Sequence, residues 1–386
     1  MQLPVYLDNN STTPVDPRVL DTMLPYFTRQ FGNAASRTHA YGWAASEAVE
    51  QARQQLASLI NSHPKEIIFT SGATESINLA LKGVHETYSS KGNHIITVST
   101  EHKAVLDTCK HLEKLGAAIT YLPVNNEGLI DMEELESHIK PATILIAVMH
   151  ANNETGVIQP IQKIAAVAKK HNVLFFCDAA QAAGKIPVNV IQDDISLLSF
   201  SAHKMYGPKG VGALYVRRKD PRVRLIAQMD GGGHENNMRS GTLNVPAIVG
   251  FGKACELCAM EMNAEAERLR ILRNRFENTL LPLDNVFVNG SIQHRLPHVT
   301  NLYFEGVSAS RLLTGFSKSI AASSGSACTS ALVEPSYVLK ALGMGNERAN
   351  NSLRFGLGRF TDDKQIDYAI KIMTETIKKL RKEWHP

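Results

Sequence analysis

Short apolar runs separated by amphipathic stretches fill roughly the first two thirds of the chain. The runs Ile67–Thr70, Ile95–Ser99, Ile119–Val124, Ile144–His150, Val173–Asp178, Ile195–Ser201 and Val211–Val216 read as strands. They are apolar almost throughout rather than at alternate positions, the signature of strands buried on both faces. Between several of them apolar residues recur at helical spacing, over Ser76–His85, Lys103–Leu115 and Pro160–His171. A further amphipathic helix, Glu47–Ile60, precedes the first run. Strands alternating with helices predict an α/β domain with a mostly parallel seven-stranded sheet. After about Pro246 the texture changes. A long helical pattern over Ala247–Leu281 leads to strand-like pieces at Val286–Asn289, Val299–Phe304 and Ser352–Leu357, then a last helix at Asp363–Trp384. This predicts a smaller α+β domain. The boundaries expected are 16–257 for the large domain, with 1–15 and 258–386 forming the small one.

Open α/β sheets bind their ligands beyond the carboxyl ends of the strands, so the residues following each run are the candidate chemistry. Ser71-Gly72-Ala73-Thr74-Glu75 follows the first run and opens a helix. Free N–H groups and hydroxyls there make an anion cradle, although N-capping by Ser71 or Thr74 would use the same atoms. Glu101-His102-Lys103 follows the second run and Asn152-Asn153-Glu154 the fourth. Asp178 ends the run Leu174-Phe175-Phe176-Cys177, where a carboxylate is buried and needs a cationic partner. Ser201-Ala202-His203-Lys204 ends the sixth. A partly desolvated lysine in such a place is a nucleophile towards aldehydes. Each signal alone has an ordinary structural explanation. Together they match the needs of pyridoxal 5'-phosphate: an aldehyde partner, a partner for the pyridine nitrogen, a ring stack and a phosphate site.

Composition narrows the classes. With 386 residues, a net charge of +4 and charges scattered along the chain, nothing argues for nucleic acid. No apolar run is long enough to cross a membrane. The start of the chain lacks the pattern of a signal peptide, which leads us to expect a cytoplasmic protein. The five cysteines are too scattered for a disulfide framework. Cys109 and Cys177 lie in apolar patterns and read as packing residues. Cys255-Glu256-Leu257-Cys258 lies within the long helical pattern with no second pair nearby, and no metal site is expected. Cys328 differs from the rest. Its surroundings, Ser323-Ser324-Gly325-Ser326-Ala327-Cys328-Thr329-Ser330, are almost without bulk, a composition of exposed loops rather than cores.

These segments, in this order, resemble the cysteine desulfurases of the class V aminotransferase family. The likeness runs from Tyr6-Leu7-Asp8-Asn9 through Thr100-Glu101-His102, Ser201-Ala202-His203-Lys204 and Met238-Arg239-Ser240-Gly241-Thr242 to the Cys328 loop and Arg354-Phe355-Gly356. It implies the fold type I of pyridoxal-phosphate-dependent transferases. It also implies a role for each matching residue. Lys204 carries the cofactor as a Schiff base. Asp178 pairs with the ring nitrogen. His102 stacks on the ring and moves protons. Thr74, Ser201 and His203, with backbone at Ala73, hold the phosphate. Asn153 and Gln181 bond near the phenolic oxygen. Thr242 reaches the phosphate in the other subunit of a homodimer. Arg354 clamps the carboxylate of L-cysteine, and Asn153 joins it in the substrate site. Cys328 accepts the sulfur as a persulfide and hands it to acceptor proteins such as an iron–sulfur scaffold or tRNA-thiolation carriers. Selenocysteine lyase, or another enzyme of the same family, is the alternative reading. Ser11 and Ala34 stand where the family usually has alanine and proline, and neither position is given a role. The chain ends at Pro386 without the longer tail of the iron–sulfur-assembly branch, so docking of a scaffold through such a tail is not expected.

Overall fold

The computed structural model describes residues 2–324 and 335–384. The expected segment around Cys328 therefore lies outside the described residues. Near the start, Val5–Tyr6 (β1) is too short to show a period in sequence. The strands that follow are Ile67–Thr70 (β2), His94–Val98 (β3), Ala118–Leu122 (β4), Thr143–Met149 (β5), Leu174–Asp178 (β6), Leu197–Ser201 (β7) and Gly212–Val216 (β8). They form one seven-stranded sheet in the order β2-β8-β7-β6-β5-β3-β4. Only β8 runs against the others, pairing antiparallel with both β2 and β7. The remaining neighbours are parallel.

The continuous apolar runs are explained by burial of both faces. Phe175 and Cys177 of β6 point into one core and Leu174 and Phe176 into the other. The same alternation divides Leu198 and Phe200 of β7 from Leu197. The first core is covered by the helices Ala40–Leu59 and Ile161–Lys170 and by the first half of Val245–Leu280. The second is covered by Ala73–Thr87 and Lys103–Lys114. Two of these helices approach closely at Gly252, where a Cβ would come within 2.7 Å of the Ala52 backbone.

A third core gathers the second half of the long helix (Leu269, Leu272, Phe276, Leu280) with the terminal helix Asp363–Trp384. It also covers the sheet made of Val286–Val288 (β9), Val299–Phe304 (β10) and Ser352–Gly356 (β12), in the order β12-β10-β9. The first strand β1 pairs in parallel with Ile320–Ala321 (β11). Bridges from Asp8 to Gly356 and from Ser323 to Arg354 place both β1 and β11 beside β12. The long helix thus belongs to two cores at once.

The edge strand β2 is finished by a side chain. Glu235 is buried and accepts from the Phe69 backbone N–H at 2.8 Å and from both Nη atoms of Arg53 at 2.9 and 2.8 Å. Arg53 also donates to the Ile67 carbonyl at 2.7 Å and stacks over the Phe69 ring. Removing Glu235 leaves the buried Arg53, among the described residues, with only the exposed Glu50 carboxylate, 3.0 Å away, and leaves the Phe69 N–H without its acceptor. Glu235→Ala is expected to destabilise the protein by about 3–5 kcal/mol, read as a lower urea midpoint. A midpoint shift within error would show that the pair contributes nothing.

Candidate active site

Five parallel strand ends, those of β2, β3, β5, β6 and β7, open onto a cavity of about 530 Å³. Ala73, Thr74, His102, Asn153, Asp178, Gln181, Ser201, His203, Lys204 and Arg354 all line it. Thr242 does not; it is exposed on the segment before the long helix. Cys328 is outside the described residues. A larger groove of about 700 Å³ lies at the opposite end of β8, beside Tyr215 and Arg217, and contains none of these residues.

After β2 the chain turns at Gly72 and enters the helix Ala73–Thr87 three residues earlier than the periodicity predicted. Neither Ser71 nor Thr74 caps it, and Gly72 at the N-cap makes no side-chain hydrogen bond. The first N–H groups of the helix are thus left to whatever fills the cavity. A Cβ on Gly72 would meet nothing nearer than Ser201 Oγ at 4.0 Å, so the space above this turn is open. Glu75, also at the cavity, is engaged by Ser71 N at 2.8 Å and by Arg239 Nε at 2.8 Å. Ser201, His203 and Lys209 bring hydroxyl, imidazole and ammonium to the same side. A helix start left open in this way, with those groups beside it, is suited to an anion.

His102 follows β3 and caps the helix Lys103–Lys114 with its ring: Ala104 N donates to Nδ1 at 3.1 Å. That bond assigns the imidazole proton to Nε2. Burial lowers the His102 pKa, partly opposed by the Asp178 charge, so the ring is neutral. Sequence reasoning named Glu101 and Lys103 only as neighbours of His102 and gave no role to them or to Tyr337. Glu101 is fully buried, with Oε1 accepting from Met149 N at 2.6 Å and Oε2 unpartnered. Burial pushes its carboxyl well up, with the nearby Asp178 charge acting in the same direction. The Tyr337 hydroxyl donates to the Glu101 carbonyl at 2.7 Å, and Lys103 Nζ lies 4.6 Å from the centre of the Tyr337 ring.

After β5, Asn152 folds the turn by accepting from Glu154 N at 2.8 Å and Thr155 N at 2.9 Å. This aims Asn153 at the cavity, where its side-chain oxygen is buried without a partner. Asn10 across from it has the same orphaned oxygen. Asp178 at the end of β6 is 5% exposed. Its hydrogen bonds among the described residues, from Ser199 Oγ at 3.1 Å and Ala180 N at 3.0 Å, both go to Oδ1. Desolvation raises its pKa against the help of these bonds and of His102 and Lys204. A carboxylate so placed is stabilised by a cationic N–H donor arriving from the cavity.

Lys204 leaves β7 in a single 3₁₀ turn, Ala202–Lys204. Its Nζ donates to the carbonyls of Asn10 at 2.5 Å and Ser11 at 2.8 Å. The turn is held from behind by Tyr206, whose φ of 65° is left-handed and unfavourable for a bulky residue. Its hydroxyl donates to Glu265 at 3.0 Å and accepts from Arg359 N at 2.6 Å. Lys185 Nζ and Arg359 Cζ each lie over its ring, 3.9 and 4.3 Å from the centre. Arg354, on β12, is 3% exposed; it donates from Nη2 to Asp8 Oδ1 and Ser11 Oγ, each at 2.7 Å, and from Nη1 to the Asn153 carbonyl at 3.0 Å. Its Nε is buried and unpartnered. Ser11, given no role from sequence, therefore touches two of the residues that were.

Two histidines of this region give a stability prediction. Burial holds His150 and His203 at about 4, below the ordinary 6.5, the latter with help from Lys204 and Lys209. Between these values the unfolded chain binds more protons than the folded one, so stability rises with pH. The cofactor-free protein is expected to lose stability as pH falls from 6.5 towards 4, measured by urea midpoints. His203→Asn should flatten that slope, and an unchanged slope would show that this histidine does not contribute.

The arrangement suits pyridoxal 5'-phosphate: among the described residues, an uncapped helix start for the phosphate, a buried carboxylate without a hydrogen bond from a cationic N–H, orphaned amide oxygens and an amine just beyond an adjacent strand end. The family description "Aminotransferase class-V" matches residues 5–369. A cysteine desulfurase, IscS, of Anaeromyxobacter dehalogenans is 55% identical over 382 residues, covering 99% of this chain and 94% of that one. Its counterpart in Escherichia coli O9:H4 is 52% identical over 383 residues, with coverage of 99% and 94%. Among solved structures, a NifS-like protein superposes with a TM-score of 0.90 at 36% identity, covering 98% of this chain and all of the other. The NifS-like protein of Rickettsia africae gives 0.86 at 30% identity, covering 97% and 99%. The chain belongs to the pyridoxal-phosphate-dependent class-V aminotransferase family.

Proposed function

We propose that this chain, a pyridoxal-phosphate-dependent cysteine desulfurase, moves sulfur from L-cysteine onto Cys328 with the strand-end cavity as its active site. The observation that carries the assignment of residues is Asp178. It is a buried carboxylate whose hydrogen bonds among the described residues all go to one oxygen, at the cavity and one strand away from Lys204. When bound, the cofactor supplies an electrophilic carbon for amines and a ring that withdraws electrons from the substrate Cα.

The chain's own residues do the rest. Lys204 anchors the cofactor covalently. Asp178 keeps the ring nitrogen protonated, its own charge favoured once that N–H is in place. His102, neutral and with Nε2–H directed away from its capping bond, covers the ring and moves protons. The uncapped start of the helix Ala73–Thr87, with Thr74, Ser201 and His203, holds the phosphate. Asn153 and Gln181 bond near the phenolic oxygen, and Arg354 receives the substrate carboxylate, with Asn153 beside it. The Cys328 thiolate then takes the substrate sulfur. The Cβ–S bond of L-cysteine breaks, an S–S bond forms on Cys328, and Cβ gains a proton to give L-alanine. Cβ is reduced by two electrons, and the two sulfurs of the new S–S bond, that of Cys328 and that of the substrate, are each oxidised by one.

The persulfide is the form in which sulfur passes to acceptor proteins, among them an iron–sulfur scaffold. A homodimer completes the site through Thr242. Exposed aromatic side chains at Phe27, Phe31, Tyr41 and Trp43 support a covered face. Four buried free cysteines support a reducing, cytoplasmic setting. Protein loaded with the cofactor, given L-cysteine and a reducing thiol, should release sulfide and L-alanine in equal amounts. Alanine without sulfide, or pyruvate in its place, would overturn the reading.

A further inference from the structure

Ser11 joins the two residues that would hold cofactor and substrate. Its carbonyl accepts from Lys204 Nζ at 2.8 Å, and its hydroxyl accepts from Arg354 Nη2 at 2.7 Å. The residue sits at the end of a tight turn closed by Ser11 N to the Asp8 carbonyl at 3.0 Å. The same turn points Asp8 Oδ1 at the same Nη2, also at 2.7 Å. Both hydrogens of Nη2 are therefore taken, one by a carboxylate and one by a neutral hydroxyl. Asp8 is a rival for the carboxylate of any substrate, because a guanidinium pairs best with one carboxylate through two parallel bonds. While Ser11 occupies one hydrogen, Asp8 holds Arg354 through a single bond, and Nε stays buried without a partner at the cavity wall. An alanine at this position would remove the hydroxyl and leave the arginine to close on Asp8.

We infer that Ser11 is a positioning residue for the substrate carboxylate, acting through Arg354. This rests on the proposed role of Arg354, and the test separates the two. Ser11→Ala keeps the carbonyl contact to Lys204 and removes only the hydroxyl. It should raise KM for L-cysteine and the calorimetric Kd of L-alanine by about threefold to tenfold, the scale of one ordinary hydrogen bond, because the loss is felt through Arg354 rather than at the substrate itself. The visible band of the bound cofactor should stay in place. Cysteamine, which has the amine and thiol but no carboxylate, should bind with unchanged affinity. Ser11→Thr should restore L-alanine affinity. Equal weakening of cysteamine, or unchanged L-alanine binding, would overturn the inference about Ser11. Arg354→Gln is the companion: a selective loss of L-alanine there with a silent Ser11→Ala rejects Ser11 alone. Equal losses of L-alanine and cysteamine there reject the role of Arg354 itself.

Discussion

Lys204→Ala loses desulfurase activity by at least about a thousandfold, the scale of removing a covalent and proton-handling group together. The same variant no longer retains the cofactor through denaturation after borohydride reduction, whereas the unaltered protein does. The structure gives the reason for a single address. Lys204 closes the 3₁₀ turn that follows β7, the strand next to the one that ends at Asp178, and its Nζ is held at the cavity by the carbonyls of Asn10 and Ser11. Lys209 also lines the cavity, but it is exposed on the loop beyond Tyr206. Lys185 is buried 3.5 Å from Glu265 and over the Tyr206 ring, away from the strand ends. Peptide mapping should therefore place the reduced cofactor on Lys204 alone. Lys204→Arg keeps the charge and restores neither property. A label on Lys209, or a substantially active Lys204→Ala, would sink the assignment.

Most residues that line the candidate cavity were legible in the sequence because they sit just after an apolar run, and apolar runs are the easiest elements to see; Arg354, inside β12, is an exception. The runs ending at Asp178 and Ser201 match β6 and β7 at those ends. Less visible were features set by contacts distant in sequence. β1 and β11 are two residues each and find one another across more than three hundred positions, so no period announces them. The helix predicted from Glu47 begins at Ala40, because its first turns are partly exposed and carry little apolar signal. The helix after β2 begins at Ala73, since Gly72 serves as its cap without a side chain. Tyr337 and Glu101 meet only in the fold, 236 positions apart. Ser11 reads as an ordinary turn residue until Arg354 is seen beside it. Local pattern locates strand ends; it does not say which turn from elsewhere in the chain is brought across them.

Cys328→Ser keeps the visible band of the bound cofactor and its response to L-alanine, yet releases no sulfide beyond about a hundredth of the original rate. A serine hydroxyl is far less acidic than a thiol and cannot form the S–S bond. The other cysteines are poorly placed to substitute. Cys109, Cys177, Cys255 and Cys258 are each fully buried. Burial pushes the Cys109 thiol up to about 12, and those of Cys177 and Cys255 well above the ordinary value. Cys258 is raised too, although Lys185 and Arg359 oppose the shift. A nucleophile must be a thiolate and must be reachable, and none of the four is either at neutral pH. Brief alkylation of the native protein should then label Cys328 and no other cysteine. After one turnover with L-cysteine, mass spectrometry should find one added sulfur on the peptide that contains Cys328. Labelling of a second cysteine, or full sulfide release by the serine variant, would assign the sulfur to a different carrier.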